Sequence, residues 1–512
     1  MLRLTWVQPE DLLGHELRQA AQDGRDASGV ERRWREAGGL PPPDRAGASP
    51  PPQDPRLRAL ANTLLDELAS TQSPLRALEP TSLPEIKRLT PRPARPLLED
   101  RERGGLGAPP TGTSGTQSLH ASWLGRAVGC LLGKPVEKLP LHGIRAIAKS
   151  TSNWPLNTWF THRGLPRNVA ERYPWNRRSR PTSLAENIDG MPEDDDLNYP
   201  LLGLLLLRRH GTGFATADVA HLWLDELPAG RTFTAERIAY RNLLDGIEPP
   251  DTAVHRNPFR EWIGAQIRAD VFGWTNPGDP ARAAELAHVD ATLTHTANGV
   301  YGAMFVAAAI AHAAAPTATA THTAAPTATT PHTATPPRTT PTIHPTPTIH
   351  AIPTIHAIPT APTVHTALNA GLSVIPPGSR YAQAIRFGIE TARAEPTGTP
   401  AGFASVVDTL HARYAHDHHW VHVLPNAALL AAALTHADGD FTGSICRAVS
   451  GGWDTDSNGA TAGSITGLLA GSPDAIDDRW TTPLKNRLAT SVADFDGIGF
   501  DELARLTQEA RT

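Results

Sequence analysis

From about residue 118 to the C-terminus, apolar residues recur at helical spacing in runs broken by Gly, Pro and Asn, while alternating β-branched stretches are few. The runs at 197–209, 216–223, 281–287, 300–313, 380–391, 403–414, 425–435, 444–449 and 460–469 each predict a helix. Ala and Leu dominate them, which suits close helix–helix packing. The expected body, residues 119–512, is therefore mostly α. Residues 1–118 differ: they are charged and interrupted by Pro/Gly tracts at 38–55 and 91–115, with helix-like islands at 9–36 and 55–69. They read as an N-terminal accessory region, partly disordered. The body is itself interrupted at 313–365 by a tract of Ala, Thr, Pro and His with a near-repeat at 347–359. Its prolines forbid long helix and central strand, so it is expected as an extended, solvated surface loop. Its His344, His350, His356 and His365 match no ligand spacing on a helix or tight turn.

Two acidic clusters lead apolar helices about half the chain apart: Glu193-Asp194-Asp195-Asp196, and Asp454-Thr455-Asp456-Ser457 after Gly451, Gly452 and Trp453. Asp before a helix caps orphan N–H groups, and that alone accounts for one acid. Four consecutive acids exceed what a cap requires, and their repulsion is relieved by a cation. Magnesium needs a near-octahedral set of oxygens, which one Asp-x-Asp turn cannot supply and two converging turns can. Pro200, near the start of 197–209, is expected in the first turn.

The chain of 512 residues is long enough for a sizeable core and for more than one domain, and its 40% hydrophobic content leaves room for unfolded segments. A net charge of -5 without a basic tract argues against nucleic acid. Two cysteines, Cys130 and Cys446, make no disulfide framework. The N-terminus lacks the pattern of a secretory signal, and the Ala-rich runs are short of a membrane span, so a soluble cytoplasmic protein is expected.

A third element opens the body: Gly125, Gly129 and Gly133 recur every fourth residue, and Glu137 follows Pro135. The glycines make one smooth helix face for close packing. Glu137 leaves that helix where a carboxylate can point into a cleft.

The order Gly129-x-x-x-Gly133-x-x-x-Glu137, then Glu193 to Asp196, then Leu293-Thr-His295-x-x-x-Gly299-x-Tyr301-Gly302, then Gly452-x-Asp454-Thr455-Asp456-x-Asn458-Gly459, closely resembles the ADP-ribosylglycohydrolase family from about residue 119 to the end. The resemblance implies an all-α orthogonal multi-helix bundle with two magnesium ions, or manganese, between the acidic turns. It implies hydrolysis of the bond joining ADP-ribose to a protein side chain or a small leaving group. Carried over residue by residue, Glu193, Asp194, Asp195, Asp454, Asp456 and Ser457 are the implied metal ligands. His295, Gly299, Tyr301 and Gly302 fall where the family contacts ADP-ribose. Asp195 is the implied base, with Glu137 its competitor. The implied partner is an ADP-ribosylated protein or ADP-ribose conjugate, with neither nucleic acid nor membrane.

Departures from the family pattern are Glu193 and Asp196 where Thr or Ser is common, Ser457 for Thr, and Cys130 where Asp is frequent; a small buried thiol is expected there. Trp262 is a further candidate to stack on adenine, and Arg260 or Arg268 to pair with pyrophosphate, against the ordinary reading of a core Trp and solvated arginines. Two other functions fit the same residues: a non-catalytic ADP-ribose binder or crystallin-like relative, and a two-metal nucleotide phosphohydrolase.

Overall fold

Each apolar run named above lies in a helix. The described residues, 4–42, 54–90, 113–316 and 361–511 of this computed structural model, contain no extended pairing beyond two isolated bridges, Met191 to Leu488 and Trp262 to His422. The fold is all-α. The described residues up to 315 and from 362 onward form one compact unit. Most of the tract at 313–365, with His344, His350 and His356, lies outside the described residues. The helices on either side of it end at Ala313 and begin at Val364, and His365 pairs with Asp438 at 2.8 Å.

Helix starts differ from the apolar runs because caps, and not apolar residues, set them. The run at 197–209 becomes Asp195–His210, with Asp194 as N-cap accepting from the Asp196 N–H at 3.0 Å. The run at 460–469 becomes Thr455–Ala470, with Asp454 at its N-cap. Both acidic clusters therefore sit at helix N-termini, where the macrodipole favours negative charge by about 0.3–1 kcal/mol each. The island at 9–36 is two helices, Pro9–Gln22 and Ser28–Glu36, separated by Gly24 at φ +75°.

Pro200 lies beyond the first turn, inside the helix, and has no N–H to give the carbonyl of Asp196. The Arg126 guanidinium makes good that loss: its Nε donates to the Asp196 carbonyl at 2.7 Å. Arg126 is fully buried, and its charge is met by Asp270 at 2.9 Å and Asp196 at 3.3 Å. A buried cation of this kind persists only when carboxylates and carbonyls surround it.

The glycines of Thr113–Gly133 and of Thr455–Ala470 let these two helices pack antiparallel, backbone on backbone. A Cβ on Gly125 would meet the Gly463 oxygen at 2.3 Å, one on Gly129 the Gly459 oxygen at 1.9 Å, and one on Gly133 the Asp456 nitrogen at 2.4 Å. Hydroxyls fasten the pair: Ser122 Oγ donates to the Ser464 carbonyl at 2.7 Å and Thr455 Oγ1 to the Gly133 carbonyl at 2.8 Å. The C-terminal end of the first helix, with Lys134 and Glu137 just beyond it, is thereby set beside the acidic N-terminus of the second.

Candidate metal and substrate site

The second acidic turn is aimed by a bent backbone. Gly452 has φ +82° and Trp453 φ +56°, a conformation disfavoured for a bulky side chain. His411 lies parallel to the Trp453 ring at 4.0 Å, and its Nε2 bonds the Gly451 carbonyl at 2.8 Å, which holds the turn. Asn426 ties it from below, its Oδ1 accepting from the Asp454 N–H at 3.1 Å and from Asn458 Nδ2 at 2.7 Å. The Asn426 amide also donates to the Trp420 carbonyl at 2.9 Å, coupling the turn to an aromatic wall of the cleft.

That cleft, of about 380 Å³, is lined by Glu137, Glu193, Asp194, Asp195, Asp454, Asp456 and Ser457, together with Lys134. The volume lies in the range of ligand pockets. A larger cavity of about 670 Å³ beside Arg145 and Phe403 holds no such cluster: its Asp440 caps the helix Phe441–Ser450 and its Asp438 pairs with His365.

Four carboxylates in or beside the cleft already have organic counter-charges, among them Glu137, which pairs with Lys138 at 2.8 Å. Lys134 Nζ pairs closely with Asp194 Oδ2. Burial raises Asp194, but the ammonium outweighs it and holds the carboxyl below its usual value. Glu193 is fully engaged: Oε2 pairs with Arg231 at 2.7 Å, while Oε1 accepts from the Ser491 N–H at 3.0 Å and Asn198 Nδ2 at 3.2 Å. Asp196 is held by Arg126 and accepts from Ser457 Oγ at 3.3 Å.

Asp195, Asp454 and Asp456 have no ion-pair partner among the described residues. Burial and then the charges of Asp194, Asp196 and Asp456 push Asp195 well up. Burial and Asp456 do the same to Asp454. Asp456 is pushed up to about 7 by burial, then by Glu137 and Asp194. The carboxylates of buried Asp454 and Asp456 and of half-buried Asp195 repel one another, and with the Ser457 hydroxyl they are oxygen donors of the kind a hard divalent cation takes. A tighter cluster, with ligand atoms of Cys130, Asp194 and Asp196 within 4.8 Å of one another, could also hold an ion. Its thiol is a poor partner for a hard cation, since burial and the neighbouring aspartates push it well above its usual value.

Over residues 113–511 the chain matches the ADP-ribosylglycohydrolase family. It belongs to that family. Membership supports a glycohydrolase-type activity. Among solved structures, an ADP-ribosylglycohydrolase-related protein complex is similar at 18% identity and a TM-score of 0.43, covering 78% of this chain and 99% of that one. No protein of curated function matches. Among the described residues no helix is long and apolar enough to cross a membrane.

Within this member of the family, the implied ligands and both implied catalytic carboxylates share one cleft. His295, Gly299, Tyr301 and Gly302 do not line it. His295 is fully buried, its Nδ1 bonded to Thr294 Oγ1 at 2.6 Å and 3.8 Å from Glu236, which lines the cleft. Tyr301 donates its hydroxyl to the Pro80 carbonyl, and Gly299 and Gly302 sit against Arg260 and Gln266. Trp262 is a core residue, half-buried Arg260 pairs with Glu16, and buried Arg268 pairs with Glu236 and Asp290. The spacing of the motifs carried no signal for Lys134, Trp6, Asn176, Arg178, Arg231, Phe233 and Trp420, which also line the cleft.

Proposed function

We propose that the chain hydrolyses the bond between the anomeric carbon of ADP-ribose and an acceptor, using divalent cations, magnesium foremost, held by Asp195, Asp454, Asp456 and Ser457. The observation that carries this reading is the set of three carboxylates, Asp454 and Asp456 buried and Asp195 half-buried, that line one cleft without an ion-pair partner among the described residues. Asp194 joins the donor set when Lys134 yields it, and Glu193 serves to fasten the first turn to Arg231 and Ser491. Bound cations would fix the ribose hydroxyls and stabilise negative charge as the anomeric bond opens with oxocarbenium character. Asp195 orients the attacking water and takes one of its protons; the oxygen bonds the anomeric carbon, the acceptor leaves with the bonding pair, and the proton taken by Asp195 passes to the acceptor or to solvent. Glu137 is the alternative base. It is held at the cleft by the Asn176 amide and by Lys138 at 2.8 Å.

The acceptor is an ADP-ribosylated side chain or a small conjugate, and the two free, buried cysteines support a cytoplasmic setting. Incubation with arginine-linked, serine-linked and acetyl-linked ADP-ribose, with and without magnesium, tests the reading. Release of intact ADP-ribose supports it. Release of AMP points to a nucleotide phosphohydrolase, and binding without product to a non-catalytic relative.

A further inference from the structure

The family match begins at residue 113, yet a residue far upstream reaches the cleft. Trp6 lines it together with Trp420, Phe233, Lys138, Arg178 and Arg231. Its position is fixed from several sides. The backbone of Trp6 sits at φ +69°, a conformation an aromatic residue adopts only when its surroundings impose it. Arg237 Nη1 donates to the Thr5 carbonyl at 3.1 Å and to Thr5 Oγ1 at 2.9 Å, pinning the chain just before the ring. The indole meets Phe259, Trp262 and His419 edge-on, at 5.5, 5.8 and 6.2 Å. Behind it the helix Pro9–Gln22 is anchored to the body by Glu16 to Arg260 at 2.8 Å and by Gln19 to Glu261 at 2.9 Å.

The remaining lining has a matching chemistry. Trp420 follows His419, which stacks on Trp262, and its own indole N–H is buried without a partner. Lys138 lies 5.8 Å from the Trp420 ring. Aromatic rings and basic side chains thus share the cleft with the carboxylates. That combination suits a ligand that carries an aromatic base, an anionic linker and sugar hydroxyls.

We propose that the N-terminal segment is part of the substrate site, and that Trp6 is a specificity-determining residue that contacts the base of the nucleotide. This rests on the ADP-ribose reading above. Ring-on-base contact selects ligands that carry a base over those that carry only the sugar phosphate.

The test is calorimetric titration of the full chain, in magnesium, with ADP-ribose and with ribose 5-phosphate. For Trp6→Ala we expect ADP-ribose affinity to fall about tenfold while ribose 5-phosphate affinity stays within about twofold, with Trp6→Phe restoring most of the loss. Arg237→Met, which frees Thr5 and leaves the ring intact, should reproduce part of the same base-selective loss, so the proposal remains testable if Trp6→Ala folds poorly. Equal loss of both ligands in the folded variants, or no loss of either, would overturn the role of Trp6 while leaving the ADP-ribose reading in place. A wild-type protein that does not bind ADP-ribose would overturn that reading and this proposal together.

Discussion

Gly129→Ala tests how the acidic turns are held in register. A methyl at Gly129 would lie 1.9 Å from the Gly459 carbonyl oxygen, whereas a close C–H to O contact needs about 3.3 Å. The obstacle is backbone on both sides, so no rotamer change relieves it. The two helices must part by roughly 1.4 Å, the difference between those two separations. Overpacking costs about 1–3 kcal/mol, against which alanine regains up to about 1 kcal/mol of helix propensity. A net loss of up to about 3 kcal/mol is expected in urea unfolding. The larger effect falls on function: the helix N-terminus carrying Asp456 shifts against Lys134 and Asp195, and a displacement of about 1 Å in a reacting array can cost about 100-fold in rate. Gly29→Ala is the matched control, since Gly29 lies in the helix Ser28–Glu36 and a methyl there meets nothing within 4 Å. Unfolding and turnover should be measured for both variants. A Gly129→Ala protein with unchanged midpoint and turnover would refute the claim that backbone contact between these helices sets the site.

Two other predictions concern the charges. Lys134→Met removes the ammonium that competes for Asp194, so magnesium should bind about tenfold more tightly by calorimetry; weaker binding would mean that Lys134 organises the site and does not compete within it. Asp456 titrates at about 7 in the folded protein, well above its ordinary 3.8. Between those values the folded chain keeps a proton that the unfolded chain releases, so this group contributes stability that is complete below about pH 4 and lost as pH rises through about 7. Cation binding must expel that proton, and magnesium affinity should therefore weaken by up to about tenfold per unit as pH falls below 7. Affinity flat from pH 5.5 to 8 would contradict this.

Much of the fold was legible because helices here announce themselves by apolar spacing. The glycines at 125, 129 and 133 signalled close packing before their partners Gly459 and Gly463 were known. The convergence of the acidic turns was legible too, from their order along the chain and their place before apolar runs. What was hidden depends on long-range partners. Nothing local says that Pro200 frees a carbonyl that Arg126 then takes, or that Arg260 spends its charge on Glu16. His295 sits in a motif whose spacing is right, yet spacing does not specify which way a side chain faces, and this one is buried against Thr294. Glu193 likewise reads as a fourth acid in a metal cluster until Arg231, Ser491 and Asn198 are seen to occupy it. The helices before residue 113 carried helical patterning but no mark of where they pack.

On the proposed reading, the unneutralised carboxylates at this cleft hold the cations used to release ADP-ribose. Asp456→Asn keeps the shape of the side chain and removes its charge, and relief of buried repulsion should leave the protein at least as stable as the wild type. With an ADP-ribose conjugate that the wild type cleaves, release of ADP-ribose in magnesium should fall by at least about 100-fold in the variant while its thermal midpoint is maintained. Undiminished release by a folded Asp456→Asn protein would contradict the account.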